Sequence, residues 1–228
     1  MNKLSASVMC ADALNLKRDL HLLRDFGVEY LHCDVMDGHF VPNIMMGTEL
    51  IRAIKKQQIL PLDIHMMVTE PERMIPWLPM DGGDVVSIHY EATPHVQRAL
   101  AMIRDKGASP ALAINPATPL ECVREVLPDI DMLLIMTVNP GYAGQKLIVQ
   151  TLDKIRRARV MLDEAGYRHV PIEVDGNCSF ENMPHMLKNG ASIFVVGTSS
   201  VFDPALGIEK GIAKTRECLL TACTQGDV

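Results

Sequence analysis

The stretch YLHCDVMDGHFVPNIMMGTELIRAIKKQQILPLDIHMMV, residues 30–68, decides the predicted fold because it contains one complete strand–helix–strand unit. Its two ends, 30–36 and 60–68, are apolar or alternating runs of strand length, whereas 47–58 has the apolar spacing of a surface helix. Strands joined through a helix are expected to lie parallel, with a right-handed crossover between them. The unit therefore predicts a sheet whose strands all point the same way.

The same pattern recurs along the rest of the chain. Further strand-like runs occupy 4–9, 84–90, 109–115, 131–138, 170–176 and 192–197. Helix-like segments lie between them at 13–27, 94–107, 118–127, 146–166, 179–190 and 203–222. The interval after residue 68 is the weakest, because Pro71, Pro76 and Pro79 interrupt any helix there.

Eight strand–helix units in 228 residues predict an α/β fold, a single (β/α)8 TIM barrel that forms one catalytic domain over 1–228. An open doubly wound sheet is the alternative. That fold would favour a G-x-G-x-x-G motif after the first strand, where this chain has VMCADAL at 8–14.

Composition excludes several classes of function. Apolar residues make up 48% of the chain and charged residues 22%, which is typical of a packed globular protein. A net charge of −6 argues against nucleic acid or an anionic membrane as a partner. No stretch is long and apolar enough for a spanning helix or a signal peptide, so we expect a cytoplasmic location.

Polar side chains mark the ends of three predicted strands, which is where barrels of this kind carry their active sites. Alternation along a strand places His32 and Asp34 on one face, and it directs His65 and Asp175 toward the same region. Taken alone, each residue would more often be a structural histidine or an ion-paired aspartate. Together, two imidazoles and two carboxylates suit one divalent transition metal (zinc, manganese, cobalt or iron) better than calcium or magnesium.

Three glycine-containing turns follow the sixth, seventh and eighth predicted strands. They are Gly141-Tyr142-Ala143-Gly144-Gln145, which should open a helix, Gly176-Asn177, and Gly197-Thr198-Ser199, which should precede another. Glycine lets the backbone approach an anion, and helix N-termini offer N–H donors. Each turn alone could be an ordinary turn, but the loops after the last two strands are the usual phosphate site of such barrels.

A metal flanked by two carboxylates and set beside a phosphate site indicates chemistry on a sugar phosphate. A divalent metal can polarise a ketone, which acidifies the adjacent C–H bond. One carboxylate can then remove this proton while the other returns one from the opposite face. The expected outcome is inversion at that carbon.

The sequence resembles the ribulose-phosphate 3-epimerase family. The stretches that carry the resemblance occur in order over nearly the whole chain: HCDVMDGHFVPN at 32–43, LDIHMMV at 62–68, MTVNPGYAGQK at 136–146, EVDG at 173–176 and VVGTS at 195–199. The resemblance implies a TIM barrel of the ribulose-phosphate-binding type, a phosphorylated ketose as substrate, and a homo-oligomer.

The resemblance also implies residue roles. His32, Asp34, His65 and Asp175 correspond to metal ligands, and Asp34 and Asp175 also to the acid–base pair that works through a 2,3-enediolate. The implied substrate contacts are Ser7, His65 and the three turns, that is Gly141, Tyr142, Ala143, Gly144, Gly176, Asn177, Gly197, Thr198 and Ser199. Met36, Met67 and Met136 correspond to methionines that line the enediolate, a role compatible with plain core packing.

The chain departs from most ribulose-phosphate epimerases at the phosphate end. Most members have G-F-G-G-Q at 141–145, D-G-G at 175–177 and G-S at 197–198, so this chain differs at Tyr142, Ala143, Asn177 and Thr198. These loops and the first strand, SVMC at 7–10, look closer to the D-allulose-6-phosphate 3-epimerase branch. The loops therefore favour D-allulose 6-phosphate and D-fructose 6-phosphate as substrates. The alternatives are a D-ribulose 5-phosphate/D-xylulose 5-phosphate 3-epimerase, a keto-sugar-phosphate lyase, or a barrel that binds a sugar phosphate without catalysis.

Overall fold

Eight parallel strands close into a barrel in the computed structural model, which describes residues 2–224. The first residue and the last four of the predicted domain, 1–228, lie outside the described part. Each strand pairs with the next in chain order, and β1 pairs with both β2 and β8, which closes the sheet. The barrel strands are β1 Lys3–Ser7, β2 Tyr30–Asp37, β3 Leu62–Met67, β4 Val85–His89, β5 Ser109–Ile114, β6 Met132–Met136, β7 Ile172–Asp175 and β8 Ile193–Val196. A further short strand, Ile44–Met45, pairs antiparallel with the end of β2 outside this barrel order. The predicted TIM barrel is confirmed.

Helices cover the outside of the barrel. They are α1 Leu16–Asp25, α2 Thr48–Lys55, α3 Val96–Asp105, α4 Gln150–Glu164, α5 Asn182–Lys188 and α6 Ile208–Thr224. Their apolar faces pack on the strands, as Ile51 and Ile54 of α2 illustrate with exposures of 0% and 4%. Among the helices of residues 2–224, none combines the length and the apolar character that crossing a membrane requires.

Two intervals of the chain form 3-10 helix instead of α-helix. After β3, Pro71–Arg73 and Ile75–Trp77 form two short turns, as the prolines in this interval led us to expect. After β5, the helix-like segment 118–127 becomes a 3-10 helix over Leu120–Asp129 that contains Pro128. Proline lacks the N–H that an α-helix needs at that position, and short 3-10 turns tolerate it better.

The barrel interior changes from apolar to charged along its axis. At the N-terminal end, Val85, Ala111, Met132 and Ile193 form a small apolar cluster. Toward the C-terminal end, the β2–β3 register pairs His32 with Asp63 and Asp34 with His65. On the other side, the β6–β7 register pairs Met136 with Asp175. Strand register alone therefore brings the predicted site residues to one end of the barrel.

Helix α6 passes unusually close to the turn that follows β8. A Cβ atom on Gly211 would lie 2.5 Å from the carbonyl oxygen of Val201 and 2.9 Å from that of Ser200. Both contacts are with backbone, which cannot rotate away as a side chain can. Glycine at this position therefore sets how tightly the last helix holds the turn at 197–202.

We expect Gly211→Ala to destabilise the fold by about 1–3 kcal/mol, because the added methyl group overpacks the contact between α6 and Val201. Urea denaturation monitored by circular dichroism measures the effect. Gly47→Ala is the matched control, since a Cβ at Gly47 would meet nothing within 4 Å. Equal denaturation midpoints for the two variants would contradict the expectation.

Candidate active site

Four side chains that were predicted as metal ligands meet at the C-terminal end of the barrel. His32 Nε2 lies 3.4 Å from Asp34 Oδ1 and 3.9 Å from Asp175 Oδ2. His65 Nδ1 lies 3.5 Å from each of the same two oxygens. One donor atom from each residue fits within a span of 4.8 Å. The structure thus brings together all four residues that the sequence analysis selected.

The two histidines present unpartnered nitrogens to this space. His32 Nε2 and His65 Nδ1 are buried and have no hydrogen-bond partner in the described part of the chain. Their other ring nitrogens are occupied, at 2.5 Å from Asp63 Oδ2 and at 2.8 Å from His89 Nε2 respectively. A buried polar atom without a partner is costly, and a bound cation would satisfy both nitrogens at once. The donor set therefore fits one divalent transition metal.

Electrostatics at this cluster favour a positive charge. Burial would raise the pKa of Asp34, but the neighbouring His32 and His65 rings outweigh burial and hold that pKa well below its usual range. Burial would lower the pKa of both histidines, yet the surrounding carboxylates raise the pKa of His32 strongly and that of His65 less. Asp34 is thus an ionised carboxylate at neutral pH, available to accept a proton.

A second layer of polar residues supports His32 from deeper in the barrel. Asp63 accepts hydrogen bonds from His32 Nδ1 and, at 2.7 Å, from Ser5 Oγ. Burial and the charge of Asp63 raise the pKa of Glu173 well above its usual range. The sequence analysis assigned no role to Asp63, although alternation in LDIHMM places it on the same face as His65.

His89 lies behind His65 at the end of β4. It is fully buried, and its ring stacks on that of His65 with centroids 5.0 Å apart. Burial lowers the pKa of His89 to about 4, so the ring is neutral at neutral pH. Burial would raise the pKa of the adjacent Glu91, but hydrogen bonds from His89 and Thr118 outweigh burial and lower that pKa to about 2. A neutral imidazole and an ionised carboxylate therefore stand behind the metal-facing ring of His65.

An open cleft lies over the carboxylates. Its lining includes Asp34 and Asp175, the three predicted methionines Met36, Met67 and Met136, and Ser7, whose Oγ donates to Asp34 Oδ2 at 3.1 Å. His32 and His65 are 0% exposed and lie outside the lining, so the proposed contact of His65 with substrate stays a prediction.

The three glycine-containing turns also line the cleft. Every residue predicted to contact phosphate lines it: Gly141, Tyr142, Ala143, Gly144, Gly176, Asn177, Gly197, Thr198 and Ser199. The expectation that the first turn opens a helix is wrong, since α4 begins only at Gln150. The third turn is likewise separated from α6, which begins at Ile208. Turn backbone, rather than a helix N-terminus, therefore faces the cleft at both places.

Gly176 and Asn177 hold the loops after β6 and β7 together. Gly176 has a φ of +119°, and a Cβ there would lie 2.8 Å from the backbone nitrogen of Val138. Asn177 Nδ2 donates to the carbonyl oxygen of Gln145 at 2.6 Å. The Asn177 side-chain amide thus braces the glycine turn at 141–145, and the close approach at Gly176 keeps Asp175 beside β6.

The chain is similar to known proteins over most of its length. Residues 3–202 match the ribulose-phosphate 3 epimerase family. The chain is 40% identical over 199 residues to a ribulose-phosphate 3-epimerase from Bacillus subtilis, covering 87% of this chain and 92% of that protein. It is 41% identical over 199 residues to a ribulose-phosphate 3-epimerase from Synechocystis sp., covering 86% of each. The solved structure of 3-hexulose-6-phosphate synthase from Salmonella typhimurium has a TM-score of 0.68 at 17% identity, covering 96% of this chain and 99% of that chain, which indicates a shared fold.

We expect the chelator-treated protein to bind one Mn²⁺ or Zn²⁺ per chain, as measured by isothermal titration calorimetry. Loss of a supporting residue around a metal site typically costs 10–100-fold in affinity, so His65→Asn, which removes a ligand, should cost more than about 100-fold. His185→Gln is the control, because His185 is an exposed residue of α5 outside the cluster. Unchanged affinity in His65→Asn would contradict the assignment of this metal site.

Proposed function

The chain belongs to the ribulose-phosphate 3-epimerase family, a family of isomerases, and we propose that it interconverts D-ribulose 5-phosphate and D-xylulose 5-phosphate by inverting C3. The observation that carries the proposal is the pair of carboxylates, Asp34 and Asp175, that faces one cleft beside two unpartnered imidazole nitrogens. Curated relatives that are 37–41% identical over 86–88% of this chain bear the name ribulose-phosphate 3-epimerase, which supports the five-carbon substrate.

The acid–base roles follow from where the two carboxylates stand. Asp34 lies on β2 and Asp175 on β7, and the strands β8 and β1 separate them around the barrel. Substrate bound between them would present opposite faces of C3 to the two groups. In one direction Asp34 removes the C3 proton and Asp175 delivers one to the other face; in the reverse direction the roles exchange.

His32, Asp34, His65 and Asp175 would hold the divalent metal, whose identity among zinc, manganese, cobalt and iron stays open. When bound, the metal supplies positive charge that polarises the C2 ketone and stabilises the 2,3-enediolate. The chain's own contribution is orientation. Ser7 donates to Asp34 Oδ2 at 3.1 Å, and Asp63 holds the ring of His32, so both side chains are fixed before substrate arrives.

The methionines and the glycine-containing turns that line the cleft have different proposed roles. Met36, Met67 and Met136 are at most 4% exposed and lie beside the carboxylates, where their thioethers exclude water from the reacting carbon. The turns at 141–145, 176–177 and 197–199 line the same cleft. We propose that their backbone N–H groups bind the substrate's phosphate.

D-Allulose 6-phosphate is the second candidate substrate. The observation that favours it is local, because the four departures from the usual loop sequences all line the cleft: Tyr142, Ala143, Asn177 and Thr198. A sugar that is one carbon longer would place its phosphate farther from the metal, against these residues. A keto-sugar-phosphate lyase is less well supported, because two imidazole donors suit a transition metal better than magnesium.

The remaining features of the proposal concern assembly and cellular context. We propose that the chain works as a homo-oligomer in the cytoplasm and that residues 1–228 form a single catalytic domain. The resemblance to the family supports the first two features. The match over residues 3–202 and the single closed barrel support the third.

The proposal is tested by kcat/KM for D-ribulose 5-phosphate and D-allulose 6-phosphate, measured on one preparation whose metal content has been determined. We expect the pentulose to be preferred by tenfold or more, a difference of about 1.4 kcal/mol in transition-state binding. A tenfold preference for the hexulose would support the second candidate and would assign a role in selectivity to the four loop residues. Turnover of neither sugar by the metal-loaded protein would contradict the proposed activity.

A further inference from the structure

The contact between His65 and His89 imposes a condition on where their protons lie. The two Nε2 atoms are 2.8 Å apart, which is a hydrogen-bond distance, and both rings are fully buried. Such a contact forms only if one of the nitrogens carries hydrogen and the other presents a lone pair. The tautomers of the two rings are therefore coupled.

The surroundings of His65 decide which nitrogen carries the hydrogen. Its Nδ1 faces Asp34 and Asp175 without a hydrogen-bond partner, and it is the atom that would bind the metal through its lone pair. When Nδ1 gives its lone pair to the metal, His65 is a neutral imidazole with a single N–H, which must then be at Nε2. His65 Nε2–H therefore donates to His89 Nε2, which leaves the N–H of His89 at Nδ1.

The far end of this chain of hydrogen bonds is anchored by a carboxylate. His89 Nδ1 lies 3.3 Å from Glu91 Oε2, an oxygen that can accept its hydrogen. Glu91 Oε1 in turn accepts hydrogen bonds from the backbone N–H of Asn115, at 2.9 Å, and from the hydroxyl of Thr118. The carboxylate is thus held from the loop that follows β5, on the far side of His89 from the metal site.

A buried lysine fixes that loop. Lys154 of α4 is 5% exposed, and its ammonium group donates to the carbonyl oxygens of Asn115, Pro116 and Thr118 at 2.9, 2.7 and 2.6 Å. All three of its hydrogens are therefore used within one turn of backbone. Glu91 cannot shift without disturbing this arrangement, so the orientation of His89 is set by elements outside the cleft.

We propose that His89 is a positioning residue that, backed by Glu91, holds His65 in the tautomer and ring orientation needed for its Nδ1 to bind the metal. The inference rests on the metal site of the proposed function. His89 itself contacts neither the cleft nor the carboxylates at the metal site; it acts through His65. A metal-binding histidine usually donates its second N–H to a carboxylate or a carbonyl oxygen. Here it donates to a second imidazole, His89, which in turn donates to the carboxylate of Glu91.

Two substitutions at position 89 separate positioning from packing. His89→Gln keeps an acceptor close to the position of Nε2 but loses the stacked ring. His89→Phe keeps a stacked ring but offers no acceptor, so the proton of His65 can move to Nδ1 and compete with the metal. If His89 only fills space against His65 and Phe40, the phenylalanine variant should behave like the original chain and the glutamine variant should not.

Metal affinity and kinetics are the readouts. We expect His89→Phe to lose about 10–100-fold in Mn²⁺ affinity, measured by calorimetry on the chelator-treated protein. At saturating Mn²⁺ its kcat should fall while KM changes little, because His89 does not touch the cleft. His89→Gln should retain most of the affinity. Full affinity in His89→Phe, with or without loss in His89→Gln, would overturn the inference.

A measurement on the unsubstituted protein covers the case in which a variant does not fold. Nitrogen-15 NMR of the Zn²⁺-loaded chain reports which ring nitrogens carry hydrogen. We expect N–H at Nε2 of His65 and at Nδ1 of His89. The opposite tautomer on either ring would overturn the inference about His89 and leave the proposed function standing. An unsubstituted chain that neither binds metal nor turns over a ketose phosphate would instead overturn the proposed function.

Discussion

The burial of charge inside the barrel is the constraint on which the rest of the site depends. Asp34 and Asp63 are 4% and 1% exposed, and the two histidines between them are fully buried. Ionised groups removed from water are tolerated only when they are paired and hydrogen-bonded. Hydrogen bonds from Ser5 and Ser7, the raised pKa of Glu173 and the contacts of both imidazoles supply part of that compensation. Among the described residues, His32 Nε2 and His65 Nδ1 stay unpartnered and face two carboxylates, an arrangement that suits a bound cation.

Strand register, a hydrogen bond from Thr137 and the turn at Gly176 bring the four side chains together. Parallel pairing places residues of β2 and β3 at one height, so that Asp34 lies opposite His65 without help from any loop. On the other side, Thr137 Oγ1 donates to the carbonyl oxygen of Asp175 at 2.9 Å, and Gly176 lets the chain turn immediately afterwards. The two carboxylates proposed to react are thus on strands, which are rigid. The residues proposed to bind phosphate are on turns, whose sequences can change without moving the His and Asp cluster.

Much of this arrangement could be predicted from the sequence, because it depends on local regularities. The period-2 alternation in YLHCDVM and LDIHMM identifies strand faces, and the position of polar residues at strand ends identifies the catalytic end of the barrel. The pattern at 118–127 predicts a helix but does not show that it is a 3-10 helix containing Pro128. The distance from the glycine turns to the next helices could not be predicted either, because it depends on how the loops fold. The contact between His65 and His89 joins neighbouring strands laterally, and alternation within one strand carries no information about it. The preference for a six-carbon substrate rested on short motifs in three loops and the first strand, whereas the similarity over most of the chain supports the five-carbon one.

The central claim is that Asp34 and Asp175 exchange protons with opposite faces of one carbon. Deuterium incorporation at C3 of the substrate from D₂O, followed by NMR with Asp34→Asn and Asp175→Asn at matched metal content, tests it most directly. We expect each variant to lose epimerisation by at least about 10²-fold yet still to exchange the C3 hydrogen of one epimer, and the two variants to exchange opposite epimers. Exchange of both epimers by either metal-loaded variant, or exchange of the same epimer by both, would contradict the claim.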